Sequence, residues 1–101
     1  MEAPQKSVYY VKEYVSALVE FTPEGLALPR AVTINGARHP IERVKDAAPR
    51  ASLTVGGHGM RYLCVSRGRE LALYYEPARG KEPGRWFVER EGVGAVLLDI
   101  I

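Results

Sequence analysis

The most site-like stretch of this 101-residue chain is Gly56-Gly57-His58-Gly59. Successive glycines let backbone N–H groups converge on an anion, and His58 could add a further donor. The established phosphate-binding signatures also need a Lys-Ser/Thr after the loop, or a glycine fingerprint between a strand and a helix, and neither occurs here. The same glycines would equally suit a loop or a close backbone approach before a strand. The stretch therefore has an anion-binding interpretation and a purely structural one.

Cys64 is the only cysteine of the chain, and His39 or His58 could serve as its base in a nucleophilic pair. However, Cys64 occurs in the middle of an apolar run, where a free cysteine behaves as a small hydrophobic residue. Nothing close in sequence would lower the pKa of its thiol. We therefore predict that Cys64 belongs to the core.

The remaining polar residues indicate neither a metal site nor a cofactor. Two histidines and one cysteine are scattered, without Cys-x-x-Cys or His-x-x-x-His spacing, and the two aspartates lie far apart. Glu70, Glu76 and Glu89 lie on neighbouring predicted strands, so paired carboxylates for acid–base chemistry stay open. Each of these glutamates is also explained as an outward residue that faces an arginine, and we favour that explanation.

Arginine and aromatic residues give the strongest indication of function. The segment Arg30–Arg69 holds eight basic and two acidic residues, although the net charge of the chain is only +2. On a small β-barrel, exposed aromatic rings stack on bases while guanidinium groups hold phosphates. The alternative is that the rings fill or border the core and arginines pack over them. The residues predicted to bind a single strand are Arg38, Arg61, Arg67, Arg69, Tyr74 and Arg85, with Trp86 or Phe87 beside them.

The first third of the chain has the alternation of β-strands. Apolar side chains occur at nearly every second position from Tyr9 to Phe21, which predicts one or two strands with one buried face. Thr22-Pro23-Glu24-Gly25 predicts a turn, and a second strand follows over Leu26–Ile34. Asn35-Gly36 predicts a two-residue hairpin loop, and Pro40 suits an edge or a bulge of the next strand, Ala37 to about Val44. This loop would pair Ile34 with Ala37 and Val32 with His39.

The second half contains a further hairpin after an irregular stretch, residues 46–59. Two runs, Met60–Ser66 and Arg69–Glu76, are joined by Arg67-Gly68. A two-residue loop places six apolar side chains on one face, whereas a slip by one residue mixes the faces. Because arginine disfavours the positive φ of such a loop, a distorted turn is expected. This register pairs Cys64 with Leu71, Tyr62 with Leu73 and Met60 with Tyr75, and it puts Arg61 beside Tyr74 on the opposite face.

The C-terminal part adds a polar loop, Pro77–Gly84, a short strand at Trp86–Val88 and a last strand at Ala95–Ile101. The chain is therefore predicted to be all-β, with about seven short antiparallel strands in a small barrel or twisted sandwich. The alternative is an α+β fold with one short helix, in the first 20 residues or around Ile41–Ala48.

Several of these segments together resemble a family of short bacterial single-domain proteins without a known activity. The resemblance lies in Gly-Gly-x-Gly-x-Arg-Tyr at residues 56–62, in the hairpin that follows, and in Arg-Trp-Phe-Val-Glu at residues 85–89. It covers roughly three quarters of the chain, as a single domain would. The family has no activity to carry over, so the resemblance implies one compact domain and leaves the function open.

Length and composition complete the expectations. With 101 residues we expect a loose N-terminus, residues 1–6, and one domain, residues 7–101. No apolar run approaches the ~20 residues of a membrane span, and residues 1–6 lack a signal-peptide pattern, so a cytoplasmic protein without membrane contact is expected. We predict a non-catalytic binding or accessory module whose partner is single-stranded DNA or RNA. The alternative is a protein-interaction or self-association module that uses the apolar segment Val96–Ile101.

Overall fold

A computed structural model describes residues 8–51 and 58–93, and within these ranges it contains seven antiparallel strands and no helix. The strands form one sheet that curls into a half-barrel. The all-β prediction is confirmed, and the alternative with a short helix is not found in these residues. The strands are β1 (Val8–Phe21), β2 (Ala27–Ile34), β3 (Ala37–Pro40), β4 (Arg43–Ala51), β5 (His58–Ser66), β6 (Arg69–Glu76) and β7 (Arg85–Val93).

The order of the strands across the sheet is β3-β2-β1-β7-β6-β5-β4. Consecutive strands β3 and β4 thus lie at opposite edges, although only Ile41 and Glu42 separate them. The Ile41 N–H donates to the Arg30 carbonyl of β2, and the Glu42 N–H donates to the Val65 carbonyl of β5, both at 2.8 Å. These two hydrogen bonds bring the two edges together. We call this junction of β2–β3 with β4–β5 the seam.

Strand β1 takes part in two different ladders. Its residues from Val8 to Val15 pair with β7, and those from Ser16 to Phe21 pair with β2. Side chains at odd positions, such as Val15, point toward the inside of the curl, and those at even positions point outward. The alternation seen in the sequence therefore forms a single 14-residue strand.

Both two-residue hairpins have the predicted register. Ile34 pairs with Ala37 across Asn35-Gly36, and Cys64 pairs with Leu71 across Arg67-Gly68. Asn35 and Arg67 have φ values of 50° and 51°, and the glycines after them have 77° and 76°. These are the positive angles of a type I′ turn, which matches the twist of the strands it joins. The expectation of a distorted turn at Arg67 is therefore wrong: the arginine adopts the left-handed conformation instead.

The prediction of irregular structure over residues 46–59 is wrong for the residues of this range that the structure describes, 46–51 and 58–59. Strand β4 continues to Ala51 and pairs with β5 along its whole length, and β5 begins at His58. Pro49 fits there because β4 is an edge strand, the position in a sheet at which proline is tolerated. The single strand expected from Ala37 to Val44 is broken at the seam. The strand expected at Ala95–Ile101 lies outside the described residues.

The core lies on the inner face of the curl. It is formed by β5, β6 and β7 together with β2 and the seam, and Trp86 and Tyr75 pack against it with their ring centroids 5.0 Å apart. Pro77–Gly84 forms the predicted loop between β6 and β7. Across the two described ranges, no helix has the length and apolar character needed to cross a bilayer. The buried core residues are Val32, Ile41, Tyr62, Cys64, Leu73 and Val88.

Candidate nucleic-acid interface

A row of aromatic side chains crosses the outer face of the sheet. Tyr14 of β1 is paired in register with Phe87 of β7, Phe87 with Tyr74 of β6, and Tyr74 with Arg61 of β5. Because residues directly opposite one another share a face, the four side chains lie side by side over four neighbouring strands. The predicted proximity of Arg61 and Tyr74 is confirmed. We call Tyr14, Phe87, Tyr74 and Arg61 the outer row.

The rings of the outer row pack closely against each other. Tyr74 and Phe87 stack with centroids 5.1 Å apart and planes 10° apart, and Tyr14 meets Phe87 edge-on at 6.0 Å. Tyr74 and Phe87 are each 8% exposed, whereas Tyr14 is 44% exposed. The row therefore opens to solvent at its Tyr14 end. Tyr10, which lies four residues earlier on the same face of β1, is 66% exposed.

Among the described residues, two cations lie over these rings. The Lys12 ammonium is 4.8 Å from the Phe87 centroid, and the Arg85 guanidinium carbon is 4.0 Å from the Tyr14 centroid. This is the arrangement of the packing alternative, in which cations cover ring faces. The sequence placed either Trp86 or Phe87 beside Tyr74. It is Phe87 that stacks on Tyr74, because Trp86 points to the inner face and packs against Tyr62.

Glu76 fixes both cations in place. Its carboxylate accepts hydrogen bonds from Lys12 Nζ at 2.8 Å, from Arg85 Nη2 at 3.2 Å and from the Tyr14 hydroxyl at 3.3 Å. The hydrogen bond from Lys12, assisted by the charges and hydrogen bonds around it, lowers the pKa of Glu76 against the opposing effect of burial. The sequence predicted only that Glu76 would face an arginine, which Arg85 is; it did not indicate Lys12 or Tyr14, which are more than 60 residues from Glu76.

The basic residues divide into paired and unpaired groups. Within residues 8–51 and 58–93, five of them form the ion pairs with carboxylates named below, and four of the five lie on or beside β1 and β7. Of the predicted contact residues, Arg85 is paired in this way. Arg38, Arg61, Arg67 and Arg69 have no carboxylate within salt-bridge distance in the described part of the chain. The five ion pairs are Lys12–Glu76, Arg30–Glu20, Lys45–Glu70, Arg85–Glu76 and Arg90–Glu13.

Three of the unpaired arginines lie beside the seam. Arg67, in the β5–β6 turn, donates from Nη2 to the backbone carbonyl of Arg38 on β3 at 3.2 Å. Arg69 begins β6 opposite Ser66, two residues from Arg67. All three side chains are exposed. We call Arg38, Arg67 and Arg69 the arginine rim.

The predicted contact residues thus form two groups rather than one. Arg61, Tyr74 and Arg85 belong to the outer row or its covering cations, and the arginine rim lies at the seam. Arg61 and Arg67 are six residues apart along β5 and its turn, which is roughly 20 Å at 3.3 Å per residue. A strand that followed the outer face from β1 toward the seam would meet Arg61 and then the end of the sheet where Arg38 and Arg67 lie. Arg69 has the parity of Leu71 and Leu73, so it projects from the inner side of the same end.

The glycine stretch is only partly described. Gly56 and Gly57 lie outside the described residues, His58 is the first residue of β5, and Gly59 is buried opposite Arg50. The anion-binding interpretation of this stretch stays a prediction. Within residues 8–51 and 58–93, no three His, Cys, Asp or Glu side chains are grouped so that they could hold a metal ion.

Cys64 lies in the core, as predicted. Its thiol is fully buried and donates to the Tyr62 carbonyl at 3.7 Å. Burial raises the pKa of Cys64 to about 11, so the sulfur is a neutral thiol at pH 7. A nucleophilic role would need the thiolate, and the site does not favour that form.

Comparison with known proteins adds no relative. No protein family model, no curated protein and no solved structure matches this chain.

Proposed function

We propose that this protein is a non-catalytic binding module that holds single-stranded nucleic acid on the outer face of its curled sheet. The observation that carries the proposal is the outer row, which aligns three aromatic rings and Arg61 across four strands. Rings and guanidinium groups in one row match the two parts of a nucleotide, since bases stack on rings and phosphates bind arginine.

Exposure decides which rings would contact bases. Tyr74 and Phe87 are buried against each other, so they support the surface rather than offer a free ring face. Among the described side chains of the outer face, the exposed rings are Tyr10 and Tyr14, and Arg85 covers one face of Tyr14, so the other face is the one left for a base. At four residues apart on one strand, the two tyrosines lie roughly 13 Å from each other. We expect bases to stack at these two tyrosines, with Arg61 binding phosphate on the far side of the row.

The proposal is tested by fluorescence anisotropy with labelled single-stranded DNA and RNA 12-mers at low and at roughly physiological salt. Non-specific binding of this kind has dissociation constants of about 10⁻⁴–10⁻⁶ M at physiological salt and is tighter at low salt. We expect affinity in this range for the wild-type protein. Absence of binding at low salt would overturn the proposal.

A matched pair of variants tests the stacking. Tyr10→Ser removes an exposed ring, and Leu18→Ser removes an exposed apolar side chain, 56% exposed, from the same face of β1. Base–aromatic stacking contributes about 1–3 kcal/mol per base, so Tyr10→Ser should weaken binding at least 5-fold. Leu18→Ser should leave affinity unchanged. Equal losses in the two variants would show that the tyrosine does not act by stacking.

A protein-interaction module is the second candidate. Phe21 and Leu26 flank the β1–β2 turn and are 72% and 61% exposed, which is unusual for large apolar side chains. In addition, the cations nearest to β1 are neutralised by ion pairs, as suits an uncharged partner surface. Sedimentation velocity over a range of protein concentrations tests self-association. Association that Phe21→Ser abolishes would favour this candidate.

A further inference from the structure

We infer that the arginine rim is the part of the interface that holds the phosphate backbone of the bound strand. Arg38, Arg67 and Arg69 would contact phosphodiester oxygens, while the tyrosines of β1 contact bases. The inference rests on the proposed function and adds that the arginine rim and the tyrosines of β1 bind different parts of each nucleotide. It differs from a general attraction of the basic segment, because it assigns the electrostatic contacts to three named side chains.

The first support is the state of the guanidinium groups. Near β1 and β7, Lys12, Arg85 and Arg90 already bind carboxylates of the protein. A phosphate could reach these cations only in competition with Glu76 or Glu13. The three guanidinium groups of the arginine rim have no carboxylate partner among the described residues. They are therefore free to form charge-assisted hydrogen bonds with an external anion.

The second support is that the backbone holds the rim together. Arg38 lies on β3 and Arg69 on β6, at sequence positions 31 residues apart. The Ile41–Arg30 and Glu42–Val65 hydrogen bonds of the seam bring β3 beside the β5–β6 turn, where Arg67 contacts the Arg38 carbonyl and Arg69 follows two residues later. Because backbone contacts set this arrangement, little ordering of the main chain is needed when an anion binds.

The third support is the conformation of Arg67. Arg67 has a φ of 51°, a left-handed conformation that Asn or Gly adopts more readily than arginine at that position of the turn. The Arg67 guanidinium donates one hydrogen bond to the Arg38 carbonyl. This contact orients the guanidinium and leaves its other N–H donors for an anion. A strained arginine that is held in place at a binding surface fits a functional role.

Nearby carboxylates limit the strength of the site. Glu70, which follows Arg69, is engaged by Lys45 at 3.1 Å, so its charge is already compensated. Glu42 is exposed at the seam and has no cation within salt-bridge distance in residues 8–51 and 58–93. Glu42 should repel a phosphate at the rim. We therefore expect Glu42→Gln to tighten binding of a strand, in the direction opposite to the arginine variants.

The experiment measures binding of a labelled oligothymidylate 12-mer at several salt concentrations. For single strands the slope of log K against log salt is about −0.7 per phosphate neutralised. Arg38→Gln and Arg69→Gln should each weaken binding and make the slope shallower by about 0.7. Arg79→Gln is the matched control, because Arg79 is exposed in the β6–β7 loop, away from the seam, and makes no ion pair among the described residues. It should leave the slope unchanged.

Arg67→Asn removes the charge without harming the turn, since Asn is favoured at this position. Weaker binding by this variant cannot be attributed to unfolding if its thermal unfolding midpoint is equal to or above that of the wild type. We expect the slope of log K against log salt to become shallower by the same amount as in Arg38→Gln and Arg69→Gln. A folded Arg67→Asn protein with wild-type affinity and slope would overturn the assignment of Arg67.

A 12-mer of abasic deoxyribose phosphate separates the two surfaces, because it keeps the phosphates and lacks the bases. We expect it to bind less tightly than oligothymidylate and to lose affinity by the same factor in the rim variants. If the wild type fails to bind oligothymidylate, the proposed function is wrong. If the wild type binds but the rim variants behave like Arg79→Gln, only this inference is wrong and the phosphates are held elsewhere.

Discussion

At the scale of single residues, Glu76 connects the parts of the outer face. Its carboxylate binds Lys12 and Tyr14 of β1 and Arg85 of β7. The two cations then lie over the rings of Phe87 and Tyr14. One partly buried carboxylate therefore sets the positions of the groups that cover the outer row. From the sequence, Glu76 was expected only to face an arginine, which is one of its three partners.

The pH dependence of stability tests this role. The lowered pKa of Glu76 means that the folded state favours the charged carboxylate. Its contribution is present at neutral pH and is lost as the pH falls below about 4.3, through the folded-state pKa. We expect Glu76→Gln to be less stable than the wild type at pH 7 by about 1 kcal/mol.

Urea unfolding of both proteins between pH 7 and pH 3 checks this expectation. The difference in free energy of unfolding should shrink as the solution becomes more acidic. A difference that stays constant down to pH 3 would mean that the Gln side chain disturbs packing and that the charge of Glu76 contributes nothing.

At the scale of elements, the hairpins were the most predictable part of the fold. The β5–β6 register followed from the sequence, because a two-residue loop puts Cys64, Leu71, Tyr62 and Leu73 on the same face, whereas a slip by one residue mixes the faces. The Asn35-Gly36 hairpin followed from the turn residues alone. In both cases the information is local, since the turn and the alternating pattern lie within about 16 residues.

Strand β4 shows why other elements were missed. Its residues 46–51 are Asp-Ala-Ala-Pro-Arg-Ala, which have low β-propensity and include a proline. The strand forms because β5 offers a complementary edge, and a bulge at Lys45 adjusts the register. Pairing with a distant partner overrides the local propensity, and such pairing is not visible in the segment itself.

The β5–β6 turn makes a stability prediction at this scale. Arg67 adopts φ 51°, so its replacement should follow the preference of each residue for the left-handed region. Arg67→Asn should be at least as stable as the wild type. Arg67→Val should be less stable than Arg67→Asn by about 1–2 kcal/mol, because a β-branched residue is poorly tolerated there. Chemical denaturation of the two variants gives this difference, and equal stabilities would contradict a left-handed residue at this turn.

At the scale of the whole molecule, the half-barrel depends on a short junction. Ile41 and Glu42 connect strands from opposite edges, and Ile41 is itself part of the buried core. The core is formed where β5, β6 and β7 meet β2 and the seam, so the core is buried only when the sheet is curled. Composition and strand count predicted the all-β class. They could not predict which edges meet, because that depends on contacts between distant segments.

A pair of leucine variants tests where the core lies. Leu73 is fully buried in the core, whereas Leu26 is 61% exposed beside the β1–β2 turn. Leu73→Ala should lower the free energy of unfolding by about 2–5 kcal/mol, and Leu26→Ala should change it by less than about 0.5 kcal/mol. Similar losses in the two variants, measured by urea unfolding, would place the core elsewhere.

The candidate interface was predictable only in part. The register placed Arg61 beside Tyr74, but the burial of Tyr74 and the cations over the rings depend on β1 and β7, which lie far away in sequence. Likewise, the basic residues of Arg30–Arg69 were visible as a cluster in the sequence. The separation of Arg61, in the outer row, from Arg38, Arg67 and Arg69, in the arginine rim, depends on how the seam folds.

The most direct test of the interface is a nuclear magnetic resonance titration of the isotope-labelled protein with an oligothymidylate 12-mer. We predict that backbone amide signals shift along the outer row, at Tyr14, Tyr74 and Arg61, and at Arg67 and Arg69. Signals of residues that face the core, such as Val32 and Leu73, should stay in place. Shifts confined to the β1–β2 turn, or no shifts at low salt, would contradict nucleic-acid binding on the outer face.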